Sequence, residues 1–205
     1  MKVSIILPTY NGEEGVSRAI QSVLHQAFSD FELIIIDDCS TDKTSNLISN
    51  FLIKDSHIKY FKNEENFGLQ KTLNRGLQLA QGEYIGRIDQ DDQWCDKYKL
   101  ISQVDYLDKN TNCVIVGTGV IVVDGLDNEK YRYQNYGKDM DIRNNILLKN
   151  TFAHSSVLFR RDSLRRVGMY SESDAHKYVE DYDLWLKLGT VGKMYNLPHY
   201  SLRYT

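Results

Sequence analysis

The chain has 205 residues, with 25 Lys and Arg against 28 Asp and Glu for a formal charge of −3, and 41% of its residues are hydrophobic. That is the make-up of a folded globular domain, long enough to bury a sizeable core, and its mild acidity offers no general attraction to nucleic acid or anionic lipid. No apolar run approaches the roughly 20 residues of a membrane-spanning helix.

Met1 to Pro8 carries one cation and a short apolar stretch without a small-residue cleavage site. It is expected to be a core strand and not a signal peptide. Val3 to Leu7 is almost uninterruptedly apolar, as in a strand covered on both faces. After the turn Pro8-Thr9-Tyr10-Asn11-Gly12, the residues Val16, Ala19, Ile20, Val23 and Leu24 recur at helical spacing. Phe31 to Ile36 is a second buried strand ending in Asp37-Asp38-Cys39-Ser40. Thr41 or Asp42 is placed to cap the next helix, whose apolar face carries Leu47, Ile48, Phe51 and Leu52. A third strand at Ile58 to Phe61 leads into Asn63 to Gly68. Leu73, Leu77, Leu79 and Ala80 then suit a helix closed by Gly82. A fourth strand, Tyr84 to Ile88, delivers the chain into Asp89-Gln90-Asp91-Asp92.

This alternation predicts an α/β fold, a mostly parallel sheet flanked by helices. Ligands of such sheets sit beyond the carboxyl ends of the strands, so Pro8 to Asn11, Asp37-Asp38 and Asp89 to Asp92 should converge on one crevice. The second half is less regular. It suggests a strand at Val114 to Val123, a hairpin through Asp124 to Asn128 toward Lys130 to Tyr133, and a helix at Ile142 to Leu148. A strand at Ser155 to Phe159 and an amphipathic helix at Glu180 to Leu188 follow. With no linker or repeat, residues 1–205 are expected to form a single domain. The scattered, odd-numbered Cys39, Cys95 and Cys113 suit free thiols in a reducing compartment, hence a cytoplasmic location.

Asp89, Asp91 and Asp92 crowd three carboxylates into four residues. Unpaired, such charges raise one another's pKa. A divalent cation relieves the conflict, and oxygen ligands of this kind suit Mg²⁺ or Mn²⁺ together with phosphate oxygens. The plain alternative is a solvated acidic turn. Asp37-Asp38 either caps the following helix or accepts from a nucleobase N–H. Glu180-Asp181 either stabilises a helix N-terminus through the dipole or supplies a general base.

Together these segments resemble the family-2 glycosyltransferases, whose nucleotide-binding α/β fold is called GT-A. The likeness rests on six blocks in order between about residues 3 and 190. They are Val3 to Asn11, Glu32 to Asp42, Asn66-Phe67-Gly68 with Leu73 to Gly76 and Gly82 to Ile85, Arg87 to Asp92, His154 to Arg161, and Glu180 to Leu186. The resemblance implies a Rossmann-like sheet with a smaller mixed acceptor-side subregion. Residues 1–100 would bind a nucleotide-sugar donor and residues 101–205 would face the acceptor. Pro8, Thr9, Tyr10 and Glu13 would line base and ribose, with Asp38 reading the base edge. Asn66, Gly68 and Lys71 would border the nucleotide. Asp89 would contact the nucleotide sugar, and Asp91 with Asp92 would hold Mn²⁺ or Mg²⁺. Asp181 would be the base with Glu180 beside it. His154 would lie near the donor sugar or metal, or be a satisfied core histidine.

The implied reaction is inverting transfer from a nucleotide-diphospho-sugar, with uridine the leading nucleotide, to a saccharide or lipid-linked saccharide hydroxyl. Such an acceptor is compatible with peripheral contact at the inner face of a membrane. Family members usually continue beyond a segment like Tyr200 to Thr205, so the sequence is expected either to be truncated there or to be a minimal catalytic domain. A nicotinamide dehydrogenase is disfavoured, because the first turn lacks GxGxxG. A sugar-nucleotide pyrophosphorylase would want a Gly-rich, basic phosphate loop. A phospho-receiver domain would leave the Asp89 to Asp92 run unexplained. A catalytically silent nucleotide- or carbohydrate-binding module is the remaining alternative.

Overall fold

Two seven-residue strands rich in isoleucine and leucine, buried along their whole length, lie at the heart of the fold, a computed structural model describing residues 1–205. In chain order the elements are β1 (Val3–Thr9), α1 (Val16–Leu24), β2 (Phe31–Asp37), α2 (Thr44–Leu52), β3 (Ile58–Lys62), α3 (Leu69–Leu79) and β4 (Tyr84–Arg87). They are followed by β5 (Gln93–Trp94), α4 (Lys99–Lys109), β6 (Cys113–Val123), β7 (Glu129–Tyr133), α5 (Asp139–Ile146), β8 (Leu158–Arg160), α6 (Leu164–Val167), α7 (Glu180–Gly189) and β9 (Lys193–Tyr204).

One nine-stranded sheet runs through both halves in the order β3-β2-β1-β4-β8-β6-β9-β5, with β7 paired to the far part of β6. β1 pairs in parallel with β2 and β4, β2 with β3, and β6 with β9; β8, β7 and β5 run against their neighbours. The expected mostly parallel sheet is present, and the mixed pairings lie where the second half joins it.

Alternation along β1 sends Ile5 and Leu7 to one face and Ile6 to the other. The first face packs on α1, α2 and α4 through Ile20, Ile48 and Leu100. The second packs on α3, α5 and α7 through Leu73, Ile142 and Trp185. The order reverses at β1, with β2 on one side and β4 on the other, and this switch point is where an open α/β sheet leaves a crevice.

Several local expectations need correction. Gly82 does not close α3; the helix ends at Ala80 in an extended conformation. Gly82 is small for another reason, since a Cβ there would lie 2.4 Å from the Ser4 nitrogen. Thr41 does not cap α2, whereas Asp42 Oδ1 accepts from the Thr44 N–H at 2.9 Å. Residues 154–156 form a short 3-10 turn ahead of β8, not the start of a strand. α5 begins earlier than its apolar residues suggest, at Asp139.

Candidate active site

The carboxyl ends of β1, β2 and β4 bring the three polar clusters together. The resulting crevice, of about 480 Å³, is lined by Pro8, Thr9, Tyr10, Asp38, Asn66, Gly68, Asp89 and Asp91, and also by Leu69, Thr72, Gln90 and Tyr204.

Gln90 fastens the β1 loop to the acidic run. Its Oε1 accepts from Thr9 Oγ1 at 2.6 Å and from the Tyr10 N–H at 2.9 Å, and its Nε2 donates to the Tyr10 carbonyl at 3.2 Å. The loop comes so close that a Cβ on Gly12 would lie 2.4 Å from Gln90 Oε1. One on Gly15 would lie 2.5 Å from the Gln90 carbonyl.

The two members of the second acidic pair do different things, and neither caps α2. Asp37 is fully buried under β2 and accepts from the Ser40 N–H, Ser45 and Tyr60. Asp38 faces the crevice but is heavily engaged. Its Oδ1 accepts from Asn63 Nδ2 at 2.6 Å and the Phe67 N–H at 2.9 Å, and its Oδ2 accepts from the Gly68 N–H at 2.8 Å. Asp38 thus shapes the Asn66 to Gly68 loop, and its Oδ2, with a single donor, keeps one lone pair free. Gly68 adopts φ +86°, which accounts for glycine there, since nothing lies within 4 Å of a Cβ.

Two expected members lie elsewhere. Glu13 is outside the crevice lining, and its carboxylate accepts from the Lys43 N–H at 3.1 Å. Lys71, in the first turn of α3, lines a separate cavity shared with Lys62 and Arg75, its Nζ 5.9 Å from the Phe67 ring centroid. Neither lines the crevice formed by Pro8 to Tyr10, Asp38 and Asp89.

In the acidic run, oxygens of Asp89, Asp91 and Asp92 lie within 4.8 Å of one another. Arg87, fully buried on β4, grips both oxygens of Asp89; the Ser155 hydroxyl donates to Asp89 Oδ2 at 3.3 Å, and its Oγ accepts from the Asp89 N–H at 3.0 Å. Asp92 is 1% exposed and its Oδ2 has no partner. Burial, followed by the charge on Asp89, holds its pKa well above the usual carboxylate range. Three carboxylates against one guanidinium, with one buried oxygen unsatisfied, form a hard-oxygen donor set that fits a divalent cation. A solvated acidic turn would leave none of these groups buried.

Beyond Asp89 a second cavity of about 400 Å³ opens, and Leu69, Asp89 and Tyr204 line both spaces. Here α7 presents Glu180 and Asp181 from its first turn. Asp181 Oδ2 accepts from Asn150 Nδ2 at 2.9 Å, and its Oδ1 from the Tyr182 N–H at 2.6 Å. Burial raises the pKa of both carboxyls despite those donors. His154 also lines this cavity. Its Nε2 pairs with the Tyr170 hydroxyl at 2.8 Å and its ring meets Trp185 edge-on at 5.6 Å. Burial, then Arg87, keeps it well below an ordinary histidine pKa, so it is a neutral, largely satisfied ring.

Arg87, Gln90, Asn150, Ser155 and Tyr204 were given no roles by sequence reasoning. Arg87 had a signal, since i and i+2 on a strand share a face and Asp89 follows at that spacing. Tyr204 had none, because only the pairing of β9 with β6 and β5 carries it to the site.

Residues 4–168 match the family described as "Glycosyl transferase family 2". The chain is 34% identical over 199 residues to the putative glycosyltransferase EpsE of Bacillus subtilis, covering 96% of this chain and 70% of that protein. Its fold is similar to S. aureus TarS 1-349 in complex with UDP-GlcNAc, with TM-score 0.82 and 24% identity over 100% of this chain and 58% of that one. It is also similar to the mannosyltransferase PcManGT from Pyrobaculum calidifontis in complex with GDP-Man and Mn²⁺, with TM-score 0.74, 18% identity and coverage of 98% and 56%. The chain thus spans less than two thirds of the length of those two structures, and at such identities they establish the fold.

Proposed function

Since the chain belongs to glycosyl transferase family 2, we propose that it transfers a sugar from a nucleoside-diphosphate sugar to a hydroxyl of a saccharide or lipid-linked saccharide, with inversion. One observation carries this reading. A crevice walled by an acidic cluster and a cavity holding a partly buried carboxylate meet at Leu69, Asp89 and Tyr204. A donor sugar seated at that junction would have the diphosphate on one side and an acceptor hydroxyl on the other.

The nucleoside end would lie along Pro8 to Tyr10 and the Asn66 to Gly68 loop, with the free lone pair of Asp38 Oδ2 available to a base N–H. Asp91 and Asp92 would hold Mn²⁺ or Mg²⁺, which when bound supplies charge neutralisation to a departing diphosphate. Arg87 fixes the Asp89 carboxylate for the donor sugar. Asp181, held by Asn150, would take the proton of the attacking hydroxyl as that oxygen displaces the nucleotide at the anomeric carbon. A single displacement of this kind inverts the centre. Glu180 stands beside it, its own pKa raised by burial and then by the charge of Asp181.

UDP is the preferred nucleotide in this proposal, supported by the UDP-GlcNAc held by TarS. The three cysteines are free thiols, and no helix is long and apolar enough to cross a membrane. Both fit a cytoplasmic enzyme that meets a lipid-linked acceptor by peripheral contact. The donor side would draw mainly on residues 1–100 and the acceptor side mainly on 101–205 of one domain, with Tyr204 entering the first and Leu69, Arg87 and Asp89 the second. The test is Asp181→Asn. Donor binding should persist while transfer falls by about 10²–10⁴, the usual worth of a general base. Near wild-type turnover would remove Asp181 from that role. Binding without turnover by the wild type, across many donors and acceptors, would favour a silent binding module.

A further inference from the structure

The cavity around Asp181 carries more recognition chemistry than a proton transfer needs. Three tyrosine rings line it, Tyr133, Tyr178 and Tyr204, and they are 36%, 85% and 47% exposed. Tyr178 has φ +70°, a left-handed backbone that a bulky residue rarely adopts and that tends to persist where it serves a site. The strained segment runs directly into Glu180 and Asp181, so it sets the most exposed ring beside the carboxylates. Aromatic rings with one polar tip suit a ligand that is apolar on its faces and hydroxylated at its edges. Asn135 and Asn150 add amide groups to the same lining.

The charges in the lining are one-sided. Arg87 is committed to both oxygens of Asp89, and His154 is neutral through burial. The remaining charged side chains are the carboxylates Asp89, Glu180 and Asp181. Lys177 lies 5.6 Å from the Tyr178 ring centroid but is not part of the lining. An acceptor bearing a uronate or phosphate would meet like charge with no free cation to offset it.

We propose that this cavity is an acceptor subsite for an uncharged pyranose unit, with Tyr178 as its stacking platform. The inference rests on the transferase reading and narrows its acceptor class to neutral glycans. At about 400 Å³ the cavity lies at the small end of ligand pockets, which suits a short saccharide stretch and not a long one.

Saturation-transfer NMR on the whole 205-residue chain tests it, with UDP and Mn²⁺ present and then absent. The probes are the methyl β-glycosides of glucose, galactose and N-acetylglucosamine, beside methyl β-glucuronide and glucose 6-phosphate. At least one neutral glycoside should bind, and both anions should bind at least about tenfold more weakly. Tyr178→Ala should weaken the neutral glycoside by about tenfold or more without altering Tm, because that ring is almost wholly exposed. Lys177→Ala should leave the selectivity unchanged. Anions binding as well as neutral glycosides, no neutral glycoside binding, or an unaffected Tyr178→Ala variant would each overturn the inference. Nucleotide binding is followed separately by calorimetry. Its absence would count against the transferase reading, whereas altered glycoside selectivity with nucleotide binding intact bears on the subsite alone.

Discussion

Gln90 sits between two carboxylates yet spends its side chain on the opposite wall of the crevice, bonding Thr9 and both backbone groups of Tyr10. It ties the β1 loop to the acidic run, and in the proposed reaction it acts as a positioning residue. Gln90→Ala should raise the donor KM by about tenfold, since it deletes bonds worth about 0.5–1.5 kcal/mol each, and should leave kcat closer to wild type. A steady-state KM equal to wild type would refute this positioning role. At Asp181 burial opposes the charged form, so the carboxyl titrates above the ordinary aspartate range. A base in the proposed role works only when deprotonated, so on that proposal kcat should fall as pH drops through that raised value, and Asp181→Asn should abolish the acid limb. A pH–rate profile of the two proteins checks both points. A limb that survives in the variant belongs to another group.

At the scale of elements, α4 begins with an unusual anchor. Lys99 is 1% exposed, donates to Gln103 Oε1 at 2.7 Å and lies 4.0 Å from the Trp94 ring centroid. Burial pushes its pKa down to about 7, although the ring favours the charged form and softens that effect. Between about 7 and 10.5 the unfolded chain binds the proton that the folded one has lost, so Lys99 makes stability rise with pH across that window. Lys99→Met should be more stable than wild type near pH 7, by about 1–3 kcal/mol, with the gap closing toward pH 10. Urea denaturation at several pH values measures it; a gap independent of pH would contradict the account.

The elements also divide by how far their signals reach along the chain. β1 to β4 and the intervening helices were legible because each declares itself by local period, as Val3 to Leu7 and Val16 to Leu24 do. α4, β5 and β9 went unrecognised. β9 contains Pro198 and polar residues, and becomes a strand only by lying along β6 from Cys113 to Val122. The convergence of Pro8 to Tyr10, Asp38 and Asp89 followed from topology. The displacement of Glu13 and Lys71 did not, because side-chain direction within a loop or first helical turn depends on partners such as the Lys43 N–H and Phe67.

Across the whole molecule, the sheet continues from β3, β2, β1 and β4 through β8, β6 and β9, so the end of β9 returns to the acidic run. Thr205 Oγ1 donates to the Asp91 carbonyl at 2.9 Å, and Tyr204 stands between the two cavities. Asp92 has a raised pKa, so the folded protein holds a proton that the unfolded one releases, and stability falls as pH rises from the ordinary carboxylate range through that raised value. A divalent cation bound to the deprotonated cluster should offset this loss. Mn²⁺ should accordingly raise Tm more at about pH 8 than at about pH 5, a dependence that thermal scans would reveal or refute.

The most direct test of the central claim is a calorimetric titration of UDP into the wild type and Asp91→Ala, with and without Mn²⁺, repeated with GDP and dTDP. The crevice and its acidic wall predict that one nucleoside diphosphate binds the wild type in a metal-dependent manner and that Asp91→Ala loses the dependence. Failure of every nucleotide to bind under any metal condition, or metal-dependent binding unchanged in Asp91→Ala, would contradict it.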